Sequence, residues 1–290
     1  MEYVEEKKQV KKYYDQEAKD YKMMYQEGYQ KYPANLIRLN MVTKRLKQID
    51  IKTILDVGCG TCAPMIRFLK EGFKVKGFDF SEEMVQNGKL ELENAGYDPN
   101  LISKGDLDHE ETIPDEKFDA VIALGVFPHI SNEKNALTVM SKRLNKGGKV
   151  LIEFRNDLFA AFTLNKYSLD FFLNRVLDID SYPDDVAKEV IDFYKERLKV
   201  DKVIEQEDGK LDYTDVLAKF RNPLSIEEEL FKPCGFKVDK FHFYHFHAFP
   251  PVFENKFPEL FKELSLKMEE PNSWKGYLMA SAFVVEATKL

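Results

Sequence analysis

The chain has 290 residues, 44% of them hydrophobic and 32% charged, which is the balance of a globular protein. Its formal net charge of -7 disfavours a nucleic-acid partner, because such a partner requires a basic surface. Three cysteines are too few for a disulfide framework, the charged N-terminus is no secretory signal, and no apolar run approaches the roughly 20 residues that span a bilayer, so we expect a cytoplasmic protein without a membrane anchor.

The first fifty residues are predicted to form a helical cap. Tyrosines and apolar residues between positions 13 and 25 recur at steps of three and four, which indicates a helix that Pro33 ends. A second helix is predicted over residues 34–47. The chain then changes character, and residues 52–57 are typical of a short buried strand.

Residues 51–156 are predicted to be an α/β core. Strands at 52–57, 75–80, 101–104, 118–124 and 149–154 alternate with helices at 63–71, 82–94 and 132–144. Helical stretches at 167–176 and 183–200 then indicate an insertion over residues 157–221. Residues 222–290 resume the core with a short helix at 225–231 and two strands, 238–247 and 277–286, which are expected to pair as a hairpin-like edge.

A glycine-rich turn after the first strand is the most informative local feature. Gly58 and Gly60 allow the backbone to approach a ligand, and the following helix presents unpaired N–H groups. Asp79, at the end of the second strand, is placed to bind two ribose hydroxyls. The turn also matches the dinucleotide-binding pattern G-x-G-x-x-[GA] at Gly58, Gly60 and Ala63, so NAD is an alternative cofactor. Asp56 favours instead a cofactor with a cationic end, because a carboxylate beside the turn would repel a pyrophosphate.

Five segments in register resemble the motifs of class I S-adenosylmethionine (AdoMet)-dependent methyltransferases. They are residues 55–60, 75–84, 105–107, 118–123 and 144–151. The resemblance implies a Rossmann-like, seven-stranded, mostly parallel sheet with an antiparallel last strand, carrying a helical N-terminal cap and a helical insertion after strand 5. One departure is Cys62, which stands where the family has a third glycine and is expected to be tolerated because it is small.

The resemblance also implies a cofactor site. The methionine end of AdoMet would contact Asp56, Gly58, Cys59 and Gly60, and its ribose would contact Asp79. The adenine would contact Phe80, Met84, Asp106 and Leu107, and the sulfonium would lie near Leu124 and Gly125. Two tyrosines of the cap, Tyr14 and Tyr21, could close over the cofactor.

The acceptor is expected to be a small molecule, since lids on both sides of the core suggest an enclosed pocket. His129, Arg155, His245 and His247 are candidate catalytic residues, and Arg155 could also bind a phosphate or carboxylate. Asn156 joins Arg155 and the two late histidines as a candidate for substrate binding. Each of these residues has a purely structural alternative. No metal is expected, because Cys59 and Cys62 lack a second pair of ligands.

The predicted activity is methyl transfer to oxygen on a sugar, sugar nucleotide or phosphorylated metabolite. Three alternatives stay open at this point: an N-methyltransferase of a small amine or amino sugar, an NAD(P)-dependent oxidoreductase, and a non-catalytic AdoMet-binding subunit. The sequence makes no prediction about oligomeric state.

Overall fold

The computed structural model describes residues 9–10, 22–29, 31–198 and 219–290. A 3-10 turn at Lys22–Tyr25 precedes helix α1, Ala34–Gln48. The buried stripe of α1 includes Leu39, Val42 and Leu46, spaced as the helical period requires. The helix predicted over 34–47 is therefore confirmed, whereas most of the tyrosine-rich segment before it lies outside the described residues.

The central part of the chain alternates strands with helices, as predicted. Its strands are β1 (Thr53–Val57), β2 (Lys74–Asp79), β3 (Ile102–Lys104), β4 (Phe118–Ala123) and β5 (Leu144–Asn156). Its helices are α2 (Ala63–Lys70), α3 (Glu82–Asn94) and α4 (Glu133–Lys142). Strand β5 starts five residues before the predicted position, because Leu144 already pairs with Phe118 ahead of a bulge.

Short helices follow β5, at the place where the sequence indicates an insertion. They are α5 (Ala160–Thr163), α6 (Lys166–Asp170), a π-helical turn at Phe171–Val176, and α7 (Asp184–Leu198). Helix α7 has no buried residue, and the ring of its Tyr194 stacks on Phe172 with centroids 5.5 Å apart. A two-residue strand, β6 (Phe220–Arg221), follows, and it is too short for the sequence pattern to predict.

The last part of the chain supplies two long strands, β7 (Phe236–Phe246) and β8 (Ala280–Lys289), with helices α8 (Pro258–Lys267) and α9 (Gly276–Met279) between them. A π-helical turn, Glu227–Phe231, takes the place of the short helix predicted at 225–231. The two strands pair with each other in antiparallel fashion, as expected. They form one edge of the sheet in the order β5-β8-β7, and the connection between them contains helices α8 and α9 instead of a tight turn.

One sheet unites these strands in the order β3-β2-β1-β4-β5-β8-β7, with β6 paired to β5. Strands β1 to β5 run parallel, and β8 is antiparallel to both of its neighbours. The predicted Rossmann-like α/β sheet with an antiparallel last strand is confirmed. Its strand count is eight rather than seven, because β6 adds a strand inside the predicted insertion.

Two apolar clusters cover the two faces of the sheet. Alternate residues of β4 divide between them, with Val121 and Ala123 in one cluster and Ala120 and Ile122 in the other. Strands that are buried on both faces explain the continuous apolar runs in the sequence. The parallel arrangement also places the carboxyl ends of β1, β2, β4 and β5 on one edge of the sheet, where open α/β sheets bind ligands.

Candidate active site

The turn after β1 depends on two glycines. Gly58 and Gly60 have φ angles of 65° and 52°, in the region that other residues adopt at a cost. A Cβ atom on Gly58 would lie 2.5 Å from Cγ2 of Val126, so no side chain fits there. A Cβ on Gly60 would meet no described atom within 4 Å, so this side of the turn is open to a ligand.

Cys62 adopts the left-handed conformation of the glycine that the resemblance predicted at this position. Its φ is 67° at the start of α2, and its side chain is completely buried. The hydrogen bond with Cys62, together with burial, raises the pKa of the Cys59 thiol well above its usual value. Reactive and metal-binding cysteines require a lowered thiol pKa, so this pair has the character of packing residues in the turn.

The Asp56 carboxyl lies at the end of β1 and is 3% exposed. Its Oδ2 atom has no hydrogen-bond partner in the part of the chain that the structure describes. Burial, reinforced by the charge of Asp79, raises the pKa of Asp56 to about 7, although the Arg38 guanidinium acts against this rise. A buried carboxyl with an unused oxygen is suited to a cationic ligand, which would restore its ionised form.

Asp79 connects the end of β2 to the glycine turn. Its Oδ2 accepts the N–H of Gly60 at 2.9 Å, and its Oδ1 accepts the N–H of Ser81 at 2.9 Å. Ser81 in turn caps α3 by accepting the N–H of Met84 at 3.3 Å.

The residues predicted to surround the adenine lie next to this carboxylate. Phe80 is partly exposed directly after β2, and Met84 is buried in the first turn of α3. Asp106 is partly exposed in the loop after β3, where its Oδ1 accepts the N–H of Asp108 at 3.1 Å. Leu107 beside it is 8% exposed.

Leu124 and Gly125 directly follow β4 on the same edge of the sheet. Leu124 is buried, and Gly125 has a φ of 80°. His129 follows at the end of a 3-10 turn, Phe127–His129, and is partly exposed. The structure thus brings His129 to the edge that carries the glycine turn.

A buried ion pair beneath this edge was not predicted from the sequence. The Arg38 guanidinium of α1 pairs with the Glu153 carboxylate of β5, and both side chains are no more than 3% exposed. Arg38 also donates to the Tyr25 hydroxyl at 2.9 Å. Burial alone would raise the pKa of Glu153, but the charges of Arg38 and Arg155 and the hydrogen bonds from Tyr244 and the Gly125 N–H lower it.

Asn156 is placed differently from the sequence prediction. Its side chain is completely buried, and its amide nitrogen donates to the carbonyls of Gly276, Tyr277 and Ala280 at 2.8–3.2 Å. Its amide oxygen accepts the N–H of Leu158. Because both ends of the amide are used inside the protein, this geometry favours a structural role over substrate binding. Arg155 is partly exposed, and its charge acts on Glu153, Tyr244 and His245.

The two late histidines lie together at the end of β7. Their ring centroids are 4.7 Å apart, and His245 has a φ of 60°, which breaks the alternation of the strand. His242 instead contacts the buried Glu286 carboxylate at 3.0 Å. Burial lowers the pKa of His247 to about 4 and that of His245 well below its usual value, so both rings are neutral at pH 7.

Three further residues, none of them predicted, complete a cluster around these rings. The Tyr32 ring stacks on His245 with centroids 4.8 Å apart, and the Tyr32 hydroxyl is hydrogen-bonded to Glu269. The Ser281 hydroxyl lies 2.8 Å from Nδ1 of His245. Together Tyr32, His245, His247, Glu269 and Ser281 are called the distal cluster below.

Two kinds of feature are absent from the described residues. No group of three or more His, Cys, Asp or Glu side chains in those ranges is placed to hold a metal ion. None of the helices there is both long and apolar enough to cross a membrane. The predicted lid tyrosines, Tyr14 and Tyr21, lie outside the described residues.

Residues 55–152 match a protein-family model described as a methyltransferase domain. This segment is a class I AdoMet-dependent methyltransferase domain. The match spans the glycine turn, Asp79 and the carboxyl end of β4, which carry predicted cofactor residues, and it continues through most of β5. The expected family, enzyme class and cofactor type are confirmed for this domain.

Two relatives of the methyltransferase domain have names that point to different acceptors. A ubiquinone biosynthesis O-methyltransferase of Vibrio atlanticus is 28% identical over 128 residues, which are 44% of this chain and 54% of that protein. A tRNA U34 carboxymethyltransferase of Actinobacillus succinogenes is 35% identical over 115 residues, 39% of this chain and 35% of that protein. The chain spans about half the length of the first of these, and the expected exclusion of a nucleic-acid acceptor is not supported.

The similarity to solved structures extends beyond the matched domain. The magnesium protoporphyrin IX methyltransferase of Synechocystis PCC 6803 with bound SAH superimposes with a TM-score of 0.56 at 14% identity. The superposition covers 98% of this chain and all of the other. At this identity the likeness shows a common fold.

Proposed function

We propose that this protein transfers the methyl group of AdoMet to a hydroxyl group of a small-molecule acceptor. The observation that carries the proposal is the Asp56 carboxyl, buried with one oxygen unpartnered among the described atoms, beside a glycine turn that is open to a ligand. A buried carboxyl costs stability unless a ligand uses it. The cationic amino-acid end of AdoMet matches it, whereas the pyrophosphate of a dinucleotide does not.

We assign the other cofactor residues by their positions along the same edge of the sheet. Gly58, Cys59 and Gly60 would line the methionine end, and Asp79 would bind the ribose hydroxyls. Phe80, Met84, Asp106 and Leu107 would enclose the adenine. Leu124 and Gly125 would lie near the sulfonium. Tyr14 and Tyr21, on the cap, are proposed to close over the cofactor.

When bound, AdoMet supplies an electrophilic methyl group on a sulfonium. The chain contributes alignment of the two reactants, which is worth roughly 7–11 kcal/mol of the barrier. A hydroxyl acceptor must also lose its proton. We assign the proton acceptor to His129, because it ends the 3-10 turn in the loop after β4 and remains partly exposed. The fixed Gly125 N–H, bound to Glu153, holds the backbone of the same loop in place.

The acceptor is proposed to lack a phosphate, which narrows the sequence prediction. A phosphate would require a cation that is available to it. Arg155 acts on the buried Glu153 and Asn156 is fully used inside the protein, so neither residue favours an anionic acceptor. A neutral hydroxyl compound agrees with the O-methyltransferase relative. N-methylation of a small amine and a non-catalytic AdoMet-binding subunit are kept as alternatives.

A tRNA acceptor is the second candidate function, because one relative is named as acting on tRNA. The net charge of -7 acts against it, since phosphate contacts require basic side chains. The two candidates are separated by the size of the labelled product.

The test incubates the protein and a cell extract with AdoMet that is labelled in its methyl group. Label in the small-molecule fraction supports the proposal and provides a compound to identify. Label in RNA establishes the second candidate, and label nowhere, despite measured binding of SAH, establishes a binding subunit.

The matched variants are Asp56→Asn and Asp50→Asn. The first removes the buried charge and is expected to abolish labelling. The second changes an exposed aspartate, with 84% of its side chain accessible, and is expected to retain it. Equal labelling by both variants would contradict the assignment of Asp56 to the cofactor site.

A further inference from the structure

The distal cluster contains buried polar atoms that the fold does not use. Neither ring nitrogen of His247 has a hydrogen-bond partner within the described ranges, although the residue is only 6% exposed. The Oε2 atom of Glu269 is likewise buried without a described partner. Each such group destabilises the fold when it stays unsatisfied, so their concentration in one place indicates a ligand site.

The cluster is held rigidly by its remaining contacts. The Glu269 Oε1 atom accepts the N–H of Phe246 at 2.9 Å as well as the Tyr32 hydroxyl. The backbone N–H of His247 donates to the carbonyl of Met279 at 2.8 Å. The free atoms of His247 and Glu269 are therefore presented by fixed backbone, which reduces the entropy lost when a ligand binds.

Position in the sheet separates the distal cluster from the point of methyl transfer. The end of β7 is three strands away from β4 in the order β4-β5-β8-β7. At about 4.8 Å a strand, the two backbones are roughly 14 Å apart. His245 and His247, predicted as catalytic residues, are thus better placed to bind a distant part of the acceptor than to accept the proton of the reacting hydroxyl.

The chemistry of the cluster defines its ligand. A neutral imidazole offers one donor and one acceptor on different sides of the ring, and a hydroxyl group can pair with either of them. Phe159 and Phe261 lie against His247 with centroids 4.8 and 5.5 Å away, and Tyr32 stacks on its neighbour His245. Surroundings this rich in aromatic rings favour an aromatic ligand. Glu269 beside them disfavours an anion.

We propose that the distal cluster is a specificity site for a neutral aromatic hydroxyl at the far end of the methyl acceptor, bound through a ring nitrogen of His247. The identity of this group as part of an acceptor depends on the proposed function. The site itself does not, because it can be tested by binding alone.

The probe is p-cresol, with toluene as the matched compound that lacks the hydroxyl. Nitrogen-15 spectra of the five histidine rings are recorded for the SAH-bound and the free protein. We expect p-cresol to shift the ring nitrogens of His247 and toluene to leave them almost unchanged. Identical effects of the two compounds, or preferential binding of phenyl phosphate or methyl glucoside, would overturn the proposal.

Three variants refine the test. His247→Leu is expected to weaken p-cresol binding about tenfold, while His247→Gln, which keeps a donor and an acceptor, retains it within about threefold. His109→Leu changes an exposed histidine and serves as the control. Unchanged p-cresol affinity in His247→Leu contradicts the site. Loss of SAH binding in the wild-type protein would instead contradict the proposed function, and the comparison of p-cresol with toluene would still stand.

Discussion

The two sides of the proposed site are assembled from different distances along the chain. On the cofactor side, Gly60 and Asp79 meet across 19 residues. On the acceptor side, Tyr32 and Glu269 meet across 237 residues. The first arrangement is specified by one strand-turn-helix unit and its successor, whereas the second exists only after the complete sheet has formed. Local sequence therefore predicts the cofactor side far better than the acceptor side.

The largest expected effect is at the ion pair beneath both sides. Arg38→Met leaves the Glu153 carboxylate, 1% exposed, without its main countercharge, and should lower the free energy of unfolding by about 3–5 kcal/mol. Urea unfolding measures this loss. Arg197→Met, at an exposed arginine, should change stability by less than about 0.5 kcal/mol.

A double variant, Arg38→Met with Glu153→Gln, should recover part of the stability, because it also removes the unpaired charge. If the double variant is less stable than Arg38→Met, the pair contributes mainly through packing, and the electrostatic connection between α1 and β5 is wrong.

Asn156 offers a way to sharpen the contrast between structural and acceptor-binding residues. Asn156→Ala leaves three carbonyls and one N–H without their partner and should cost about 3 kcal/mol of unfolding free energy. Asn174→Ala, at an exposed asparagine on the insertion, should cost little. Normal thermal stability of Asn156→Ala combined with lost methyl transfer would instead restore its predicted role in substrate binding.

The smallest effect distinguishes cofactor binding from folding. Because the folded-state pKa of Asp56 is raised to about 7, the folded protein binds more protons than the unfolded chain between about pH 4 and 7, and stability falls as pH rises through this range. Asp56→Asn should remove that fall and raise the unfolding free energy at pH 5.5 by about 2 kcal/mol, with little change near pH 4.

The same Asp56→Asn protein should bind SAH more weakly by calorimetry, so stability and affinity move in opposite directions. A variant that loses stability at pH 5.5 would show that the Asp56 carboxyl is satisfied in the free protein. Asp50→Asn, being exposed, should leave both quantities unchanged.

Most of the core was predictable because its signals are local. The strand alternation, the glycine turn, Asp56 and Asp79 all follow from short patterns, and the structure places them on one edge of the sheet. Arg38 was missed although a signal existed, since a charged residue within the apolar stripe of α1 must have a buried partner.

Glu269 and Tyr32 carried no such signal. A glutamate near the end of a helix is normally solvated, and nothing in its neighbourhood in the sequence indicates a tyrosine 237 positions earlier. The left-handed His245 likewise alters which side chains of β7 share a face, and a strand pattern of period two does not anticipate it. Strand β6 was missed because two residues are too few to show a period.

The position of β8 also has a consequence for how the protein acquires its structure. Among the described strands, β7 joins the sheet through β8 alone, and the pairing of β8 with β5 connects residues as far apart as Lys149 and Thr288. Contacts of such long sequence separation form slowly, since the chain must close a large loop first. Until β8 arrives, β5 has an unpaired edge of apolar residues that is open to other chains. We therefore expect the refolding yield to decrease with protein concentration.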